Sequence, residues 1–187
     1  MIGSSRFTAV LDTCAIYPIY VRDILLWFAH YDLYTPKWSE GIFNELADVM
    51  QRKGASDLMI EKRLENMNLH FPDAMVKNYK ELIDKVHLPD PKDNHVFAAA
   101  IKTNANLIVT YNLKDFPKET LNLYGLNAKS PDDFVADLID LKPEVAVKAF
   151  KEMVLLKQNP EMDEYAVLDA LRRANMKDSA DYLHALI

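Results

Sequence analysis

Three acidic residues of this 187-residue chain stand where a strand or a helix is predicted to begin or end, and a fourth lies within a predicted helix. Asp12 ends the first apolar strand, and Asp115 comes just after a second one. Asp93 precedes a predicted helix, and Glu45 lies within another. In α/β proteins, ligands bind at the carboxyl ends of the strands, and several oxygen ligands that meet there suit Mg²⁺ or Mn²⁺. The sequence therefore predicts a metal-dependent enzyme.

The composition narrows the chemistry that these carboxylates can support. Hydrolysis of a phosphodiester with two metal ions needs several carboxylates around ions about 3.5–4 Å apart. A zinc site of the usual nitrogen and sulfur kind is not expected, because the five histidines include no His-x-x-x-His pair and Cys14 is the single cysteine. Cys14 is interpreted as buried packing rather than as a nucleophile, since no histidine is adjacent to it in the sequence.

Each acidic residue also has an ordinary structural interpretation, and these alternatives stay open at the level of the sequence. Asp12 and Asp93 could cap the helices that follow them, and a cap and a metal ligand need the same exposed oxygen. Glu45 could be a residue at the edge of an apolar helix face. Asp90, three residues before Asp93, is interpreted as a solvated turn residue or as a fifth acid of the site. His95, two residues after Asp93, could line the site, but the preferred interpretation is a surface residue of the capping turn.

Strands and helices alternate through most of the chain, which predicts an α/β domain with a parallel sheet. Apolar, β-prone segments indicate strands, and the second strand should end at Pro36. Apolar residues at helical spacing indicate helices, with Ser39, Ser56 and Ser130 as N-caps. The predicted strands are 7–11, 33–35, 74–76, 107–110 and 126–128, and the main predicted helices are 21–30, 40–52, 57–71, 79–86, 94–103 and 131–140. From Pro143 onward the pattern is helical only, with helices predicted over 144–157, 163–174 and 178–186.

Four short motifs carry a family resemblance that covers about residues 6–135. They are VLDTC with Asp12, FNEL with Glu45, DNHVFAAA with Asp93, and VTYNLKDF with Asp115. The chain resembles the PIN-domain ribonucleases of the VapC-like kind, the toxins of bacterial and archaeal toxin–antitoxin pairs. The resemblance implies a PIN-like three-layer fold, in which a central parallel sheet is flanked by helices, and the activity of a metal-dependent endoribonuclease.

We expect two parts, a PIN-like nuclease domain over residues 1–140 and an all-helical C-terminal extension over residues 141–187. The extension would pack on the domain or on a partner.

The resemblance also assigns roles to residues at the matching positions. The family's acidic quartet binds Mg²⁺ or Mn²⁺ and catalyses RNA hydrolysis, and the matching residues here are Asp12, Glu45, Asp93 and Asp115. Polar residues would support the quartet or orient the scissile phosphate, namely Thr13, Thr110, Asn112 and, as a candidate further acid, Asp90.

Expectations about partners and location follow from the resemblance and the composition. The resemblance implies an RNA substrate, a small antitoxin protein whose tail would cover the acidic groove, and a homodimer. The net charge of −6 argues against a non-specific nucleic-acid coat protein, but it is compatible with a nuclease. The sequence has neither a run of about 18 apolar residues nor a basic and then apolar start, so we expect no membrane span, no signal peptide and a cytoplasmic location.

Three other classes of protein share part of this pattern. A phosphatase of the haloacid dehalogenase type begins with an Asp after its first strand, but it carries another Asp two residues later, where this chain has Cys14. A response-regulator receiver needs an acidic pair that is missing at the first strand. A non-catalytic PIN-like binding or scaffold protein, acting through its helical tail, is the remaining alternative.

Overall fold

A sheet of five parallel strands lies at the centre of the molecule. The computed structural model describes residues 7–158 and 160–187, and the predicted absence of a signal peptide concerns residues outside these ranges. The strands are β1 (Thr8–Leu11), β2 (Thr35–Ser39), β3 (Met75–Val76), β4 (Leu107–Val109) and β5 (Asn127–Lys129). In space they follow the order β3-β2-β1-β4-β5, and every pair of neighbours is parallel. The α/β prediction is confirmed, and β1 with its terminal Asp12 occupies the middle of the sheet.

Helices connect and cover these strands. In the described residues none of the helices is long and apolar enough to cross a bilayer. Short 3₁₀ turns lie at Lys80–Lys85, Pro91–Asp93 and Leu113–Asp115. The α-helices are α1 (Thr13–Ile16), α2 (Ile19–His30), α3 (Glu40–Arg52), α4 (Asp57–His70), α5 (Asn94–Lys102), α6 (Lys118–Asn122), α7 (Pro131–Leu141), α8 (Pro143–Leu155), α9 (Glu164–Arg173) and α10 (Lys177–Leu186).

Serine hydroxyls fix where three of these helices begin. The side chains of Ser39, Ser56 and Ser130 accept backbone N–H groups in the first turns of α3, α4 and α7. These hydrogen bonds satisfy donors that a helix leaves free at its N-terminus. The three predicted caps are confirmed, and the first of them sets the position of Glu45 along α3.

The second strand differs from its prediction. The sequence predicts a strand over 33–35 that ends at Pro36, whereas Pro36 is the second residue of β2. The N–H of Thr35 donates to the carbonyl of Phe7, just before β1, on one side, and the N–H of Trp38 donates to the carbonyl of Ala74 on the other. The backbone N–H groups of alternate residues in a strand point to opposite neighbours, so the nitrogen of Pro36 points to the same side as that of Trp38. At the level of Pro36, β3 has not yet begun on that side. The sheet therefore loses no hydrogen bond at this proline.

Smaller differences occur elsewhere. Residues 79–86, predicted as helical, form a 3₁₀ turn, and the last strand begins and ends one residue later than predicted. Both segments are short and lie at the edges of the fold, where local sequence patterns define boundaries poorly.

The C-terminal helices pack against the α/β part of the chain. Helix α8 lies against α2, and α10 lies against α7. The carboxylate of Asp132, in the first turn of α7, accepts the backbone N–H groups of Asp178 and Ser179 at 3.0 and 2.8 Å. Lys157, after α8, forms an ion pair with Asp23 of α2. Helix α7 thus bonds directly to the extension, and the division after residue 140 stays a prediction.

Candidate active site

Asp12 is the most enclosed of the predicted acids, with 5% of its surface exposed. Its Oδ1 accepts the backbone N–H of Thr13 at 2.7 Å, so that Asp12 does cap the short helix α1. Its Oδ2 accepts the hydroxyl of Thr110 at 2.7 Å and the thiol of Cys14 at 3.0 Å. Burial raises the pKa of Asp12, and these hydrogen bonds oppose the rise. The carboxylate is therefore held in one orientation at the end of the sheet.

Cys14 connects the turn after β1 to the turn after β4. Its sulfur accepts the N–H of Tyr111 at 3.2 Å while its thiol donates to Asp12. Burial and then the negative charge of Asp12 raise the pKa of Cys14 to about 12. The thiol stays protonated near neutral pH, which agrees with the interpretation that Cys14 is no nucleophile. It differs from simple packing in that it orients Asp12.

Glu45 is held at both of its carboxylate oxygens. Oε2 accepts the hydroxyl of Thr13 at 2.8 Å, and Oε1 lies 3.0 Å from Nε2 of His95. Burial acts to raise the pKa of Glu45, but the hydrogen bonds from His95 and Thr13 outweigh it and lower that pKa below its ordinary value. Glu45 is thus an ionised carboxylate with a fixed position, and it lies on α3, whereas Asp12 lies at the end of β1.

The interpretation of His95 as a surface residue is wrong. Its side chain is 14% exposed and lies against α3. Helix α5 packs on α3, and this contact joins residues 50 positions apart, which the sequence pattern does not show. The signal that could have found it is the spacing in DNH, which places His95 in the same helical turn as Asp93.

Asp93 does not cap α5 through its side chain, although that alternative was open. The 3₁₀ turn before α5 leads directly into the helix, and Asp90 caps this turn by accepting the N–H of Lys92 at 3.0 Å. Asp90 therefore acts as a turn residue, which is the first of the two interpretations given above. The carboxylate of Asp93 accepts the amide of Asn112 at 3.3 Å instead.

The pKa of Asp93 shows how closely the acids gather. Burial raises it most, and the negative charges of Asp12, Asp90, Asp115 and Glu45 raise it further, to about 6. Within residues 7–158 and 160–187, no ion pair with a lysine or arginine reaches Asp12 or Asp93. Among the described residues, no basic side chain therefore pairs with either of these two carboxylates.

The turn after β4 links these acids to one another. The hydroxyl of Thr110 donates to Asp12 and accepts the N–H of Asn112 at 2.9 Å, while the amide of Asn112 donates to Asp93. Asp115 closes the following 3₁₀ turn, and its charge acts on Asp93. Asp115 lies beside the cleft described below rather than on its lining.

A cleft of 750 Å³ opens over three of the four predicted acids, Asp12, Glu45 and Asp93. Arg52 and Lys92 supply positive charge on its lining, where phosphate groups could be held. Arg52 was missed by the sequence interpretation. It lies seven residues after Glu45 and so on the same face of α3, which is the signal that could have found it.

The donor chemistry of the cleft fits a hard divalent cation. Carboxylate oxygens dominate, as Mg²⁺ and Mn²⁺ prefer, and the repulsion that raises the pKa of Asp93 would be relieved by a cation. In the part of the chain that the structure describes, however, no three His, Cys, Asp or Glu side chains converge closely enough to enclose an ion. The ligand roles of Asp12, Glu45, Asp93 and Asp115 therefore stay predictions.

The C-terminal helices reach the site through Tyr111, which follows Thr110 and lines the cleft. Its hydroxyl donates to the carbonyl of Ala174, at the end of α9, at 2.9 Å. A partly buried hydrogen bond of this kind stabilises a fold by about 1 kcal/mol. The extension thus supports the turn that carries Asn112.

Tyr111→Phe is expected to lower the free energy of unfolding by about 1 kcal/mol, because the ring stays packed while the hydrogen bond to Ala174 is lost. Urea denaturation of the variant and of wild type measures the difference. Tyr182→Phe, which removes the hydroxyl of an exposed tyrosine on α10, is the matched control and should change stability by less than about 0.5 kcal/mol. Equal stabilities for Tyr111→Phe and wild type would show that the bond to Ala174 contributes nothing.

Comparison with known families agrees with this fold and with the motifs. Residues 8–114 match the PIN domain family, and residues 131–185 match the VapC50 C-terminal domain. The chain belongs to the PIN domain family. The predicted resemblance is confirmed.

One curated relative gives a more particular likeness. The chain is 42% identical over 80 residues to a protein of Mycobacterium tuberculosis (strain ATCC 25618 / H37Rv) whose name is "Putative ribonuclease VapC50". The alignment covers 43% of this chain and 47% of that protein, so the chain spans about half the length of the relative that it matches. No solved structure matches the chain at a significant level.

Proposed function

We propose that this protein is a metal-dependent endoribonuclease that hydrolyses RNA phosphodiester bonds, and that it is the toxin of a toxin–antitoxin pair. The observation that carries the proposal is the meeting of Asp12, Glu45 and Asp93 in one cleft at the carboxyl ends of β1 and β4, within a PIN domain. The name of the relative, a ribonuclease VapC50, supports the substrate class.

Asp12, Glu45, Asp93 and Asp115 would hold Mg²⁺ or Mn²⁺. A bound divalent cation supplies a Lewis acid that activates water and stabilises charge on a phosphoryl oxygen. Thr110 and Asn112 keep two of these carboxylates in place through the hydrogen bonds described above. The reaction is attack by water on the phosphodiester, and it leaves a 5′-phosphate and a 3′-hydroxyl without a covalent enzyme intermediate.

The lining of the cleft supplies contacts for the rest of the RNA. Arg52 and Lys92 can pair with phosphates on either side of the scissile bond. Tyr17, also on the lining, offers a ring on which an unpaired base can stack. These contacts favour single-stranded RNA, in which bases are free to turn toward an aromatic ring.

Cleavage of labelled RNA by the purified protein tests the proposal. We expect cutting that needs Mn²⁺ or Mg²⁺, stops with EDTA and falls sharply in Glu45→Gln. Asp48→Asn is the matched control, because Asp48 lines the same cleft from the same helix without a hydrogen bond to Thr13 or His95. A wild-type protein that neither cuts RNA nor binds a divalent cation would favour the non-catalytic scaffold. The observation in favour of the scaffold is that no three candidate ligands converge within the residues that the structure describes.

The antitoxin's tail is predicted to cover the acidic cleft, and we propose a groove of 660 Å³ between α2 and α4 as the surface for the rest of that small protein. Its walls include the apolar side chains of Trp27, Met59 and Leu156, and the latter two are more than half exposed. Arg22 and Arg63 also line the groove, and burial followed by the charge of Arg22 lowers the pKa of Arg63. Two neighbouring guanidinium groups beside apolar walls suit a segment that carries apolar and acidic side chains.

Light scattering of the protein, alone and mixed with the product of any small neighbouring gene, tests both predicted partners. We propose a homodimer in a reducing, cytoplasmic environment, which would give twice the 21.5 kDa mass of one chain.

Met59→Asp should weaken antitoxin binding by at least about tenfold, since it places a charge on the apolar wall of the groove. Leu123→Asp, at a residue that is 81% exposed elsewhere, should leave it unchanged. A 21.5 kDa species at all concentrations would overturn the homodimer.

A further inference from the structure

His95 lies along one face of helix α3 and touches it at two places. Gly41 and Glu45 are one helical turn apart and therefore share that face. The ring places Nε2 3.0 Å from Oε1 of Glu45, while Nδ1 lies above Gly41. An ionised carboxylate can only accept, so Nε2–H of His95 donates this hydrogen bond.

Gly41 is the residue that lets the ring lie there. A Cβ at this position would be 2.7 Å from Nδ1 of His95 and 3.1 Å from the hydroxyl of Tyr79. The backbone N–H of Gly41 itself donates to Tyr79 at 3.0 Å, which fixes the phenol ring against the same turn. Tyr79 is 3% exposed and the side chain of His95 is 14% exposed, so a Cβ at Gly41 could be accommodated only by displacing one of two enclosed rings. The close approach of α5 to α3 thus depends on the missing side chain.

We propose that His95 is a positioning residue that holds the carboxylate of Glu45 at a set distance from Asp93, and that Gly41 provides the space for it. Asp93 and His95 are two residues apart at the start of α5, so one short backbone segment carries an acid of the site and the group that orients another. Thr13 fixes the second oxygen of Glu45, which leaves the carboxylate no free rotation. This inference rests on the proposed function, because it concerns how the acids are arranged for a cation.

Two matched substitutions separate this role from mere packing. The side-chain nitrogen of Gln can occupy the place of Nε2, whereas that of Asn corresponds to Nδ1 and cannot reach Glu45. We expect His95→Gln to bind Mn²⁺ within about threefold of wild type by calorimetry. His95→Asn should bind it about 10–100-fold more weakly, the usual cost of removing a group that orients a metal ligand. Melting temperatures of the two variants, measured without metal, are the control that tests whether both are folded.

The Glu45→Gln background tests whether His95 acts through Glu45. There, His95→Asn should cause no further loss of Mn²⁺ affinity, since effects that share one partner do not add. Gly41→Ala, which pushes the ring away from α3, should weaken Mn²⁺ binding as His95→Asn does.

The outcomes distinguish this inference from the proposed function. Equal Mn²⁺ affinities for His95→Asn and His95→Gln, beside a wild type that binds the ion and cuts RNA, would overturn the positioning role alone. If His95→Asn lowers the Mn²⁺ affinity as much in the Glu45→Gln background as in wild type, the positioning role is also overturned, because His95 would then act on another group. A wild type that binds no Mn²⁺ and leaves RNA intact overturns the proposed function and this inference together.

Discussion

Asp12→Asn is expected to reduce kcat/KM for RNA cleavage by at least about 10²-fold, the size of effect seen when one charge-stabilising group is removed from an active site. Asp12 is the acid with the most complete set of hydrogen bonds, from Thr13, Thr110 and Cys14. The amide of Asn keeps the size of the carboxylate but removes its charge, and so weakens its hold on a divalent cation. Initial rates at several RNA concentrations, in Mn²⁺ and in Mg²⁺, measure the loss.

The same substitution should leave the fold intact. Because burial raises the pKa of Asp12, its negative charge costs stability in the metal-free protein, and a neutral amide removes that cost. The melting temperature of Asp12→Asn without metal should therefore equal or exceed that of wild type. Asp48→Asn, on the lining of the same cleft, serves as the control and should retain its activity. Cleavage by Asp12→Asn at the wild-type rate would mean that the reaction occurs elsewhere on the molecule.

The contribution of Asp93 to the stability of the metal-free protein is expected to fall as the pH rises from about 4 to about 6. The pKa of Asp93 is raised from 3.8 to about 6 in the folded protein, mainly by burial and next by its acidic neighbours. Between these two values the folded state binds the proton more strongly than the unfolded state does. Protonation thus stabilises the fold at low pH, and this contribution disappears as the pH passes the folded pKa. Partial exposure to solvent reduces the effect to about 1–2 kcal/mol.

Asp93→Asn isolates this contribution from all others that change with pH. The difference in unfolding free energy between the variant and wild type, measured by urea denaturation at steps from pH 4 to pH 7, should grow with pH in favour of the variant. Saturating Mn²⁺ at pH 7 should reverse the order, because a ligand at about 100 times its Kd stabilises the wild type by about 2.7 kcal/mol. A difference that stays constant across the pH range would show that neither burial nor the neighbouring acids raise the pKa of Asp93 in the folded protein.

Local sequence patterns predict those parts of the fold and site that depend on neighbours in the chain. Ser39 caps α3 and Asp12 follows the central strand because each role needs only a few adjacent residues. The parallel α/β architecture follows from the alternation of these elements. The position of Pro36 inside β2 could not be predicted in this way, because it depends on where the neighbouring strand β3 begins.

The arrangement around the acids depends on contacts between distant segments. The sequence offers Asp93 as a cap of the following helix, but the 3₁₀ turn ahead of α5 is capped by Asp90 instead. The contact of His95 with Glu45 joins two helices, and the contact of Tyr111 with Ala174 joins the cleft to the extension. No local pattern records which residues such packing brings together.

The hydrogen bond between Tyr111 and Ala174 also makes the cleft and the C-terminal helices thermodynamically linked. If RNA binding changes the turn that carries Tyr111, the free energy of that change is shared with the end of α9. A molecule that binds the C-terminal helices and shifts Ala174 would then change the affinity of the cleft for RNA. By reciprocity, bound RNA would change the affinity of the helices for that molecule by the same factor. The extension is then a place from which the affinity of the proposed nuclease site can be adjusted without any contact with the acids.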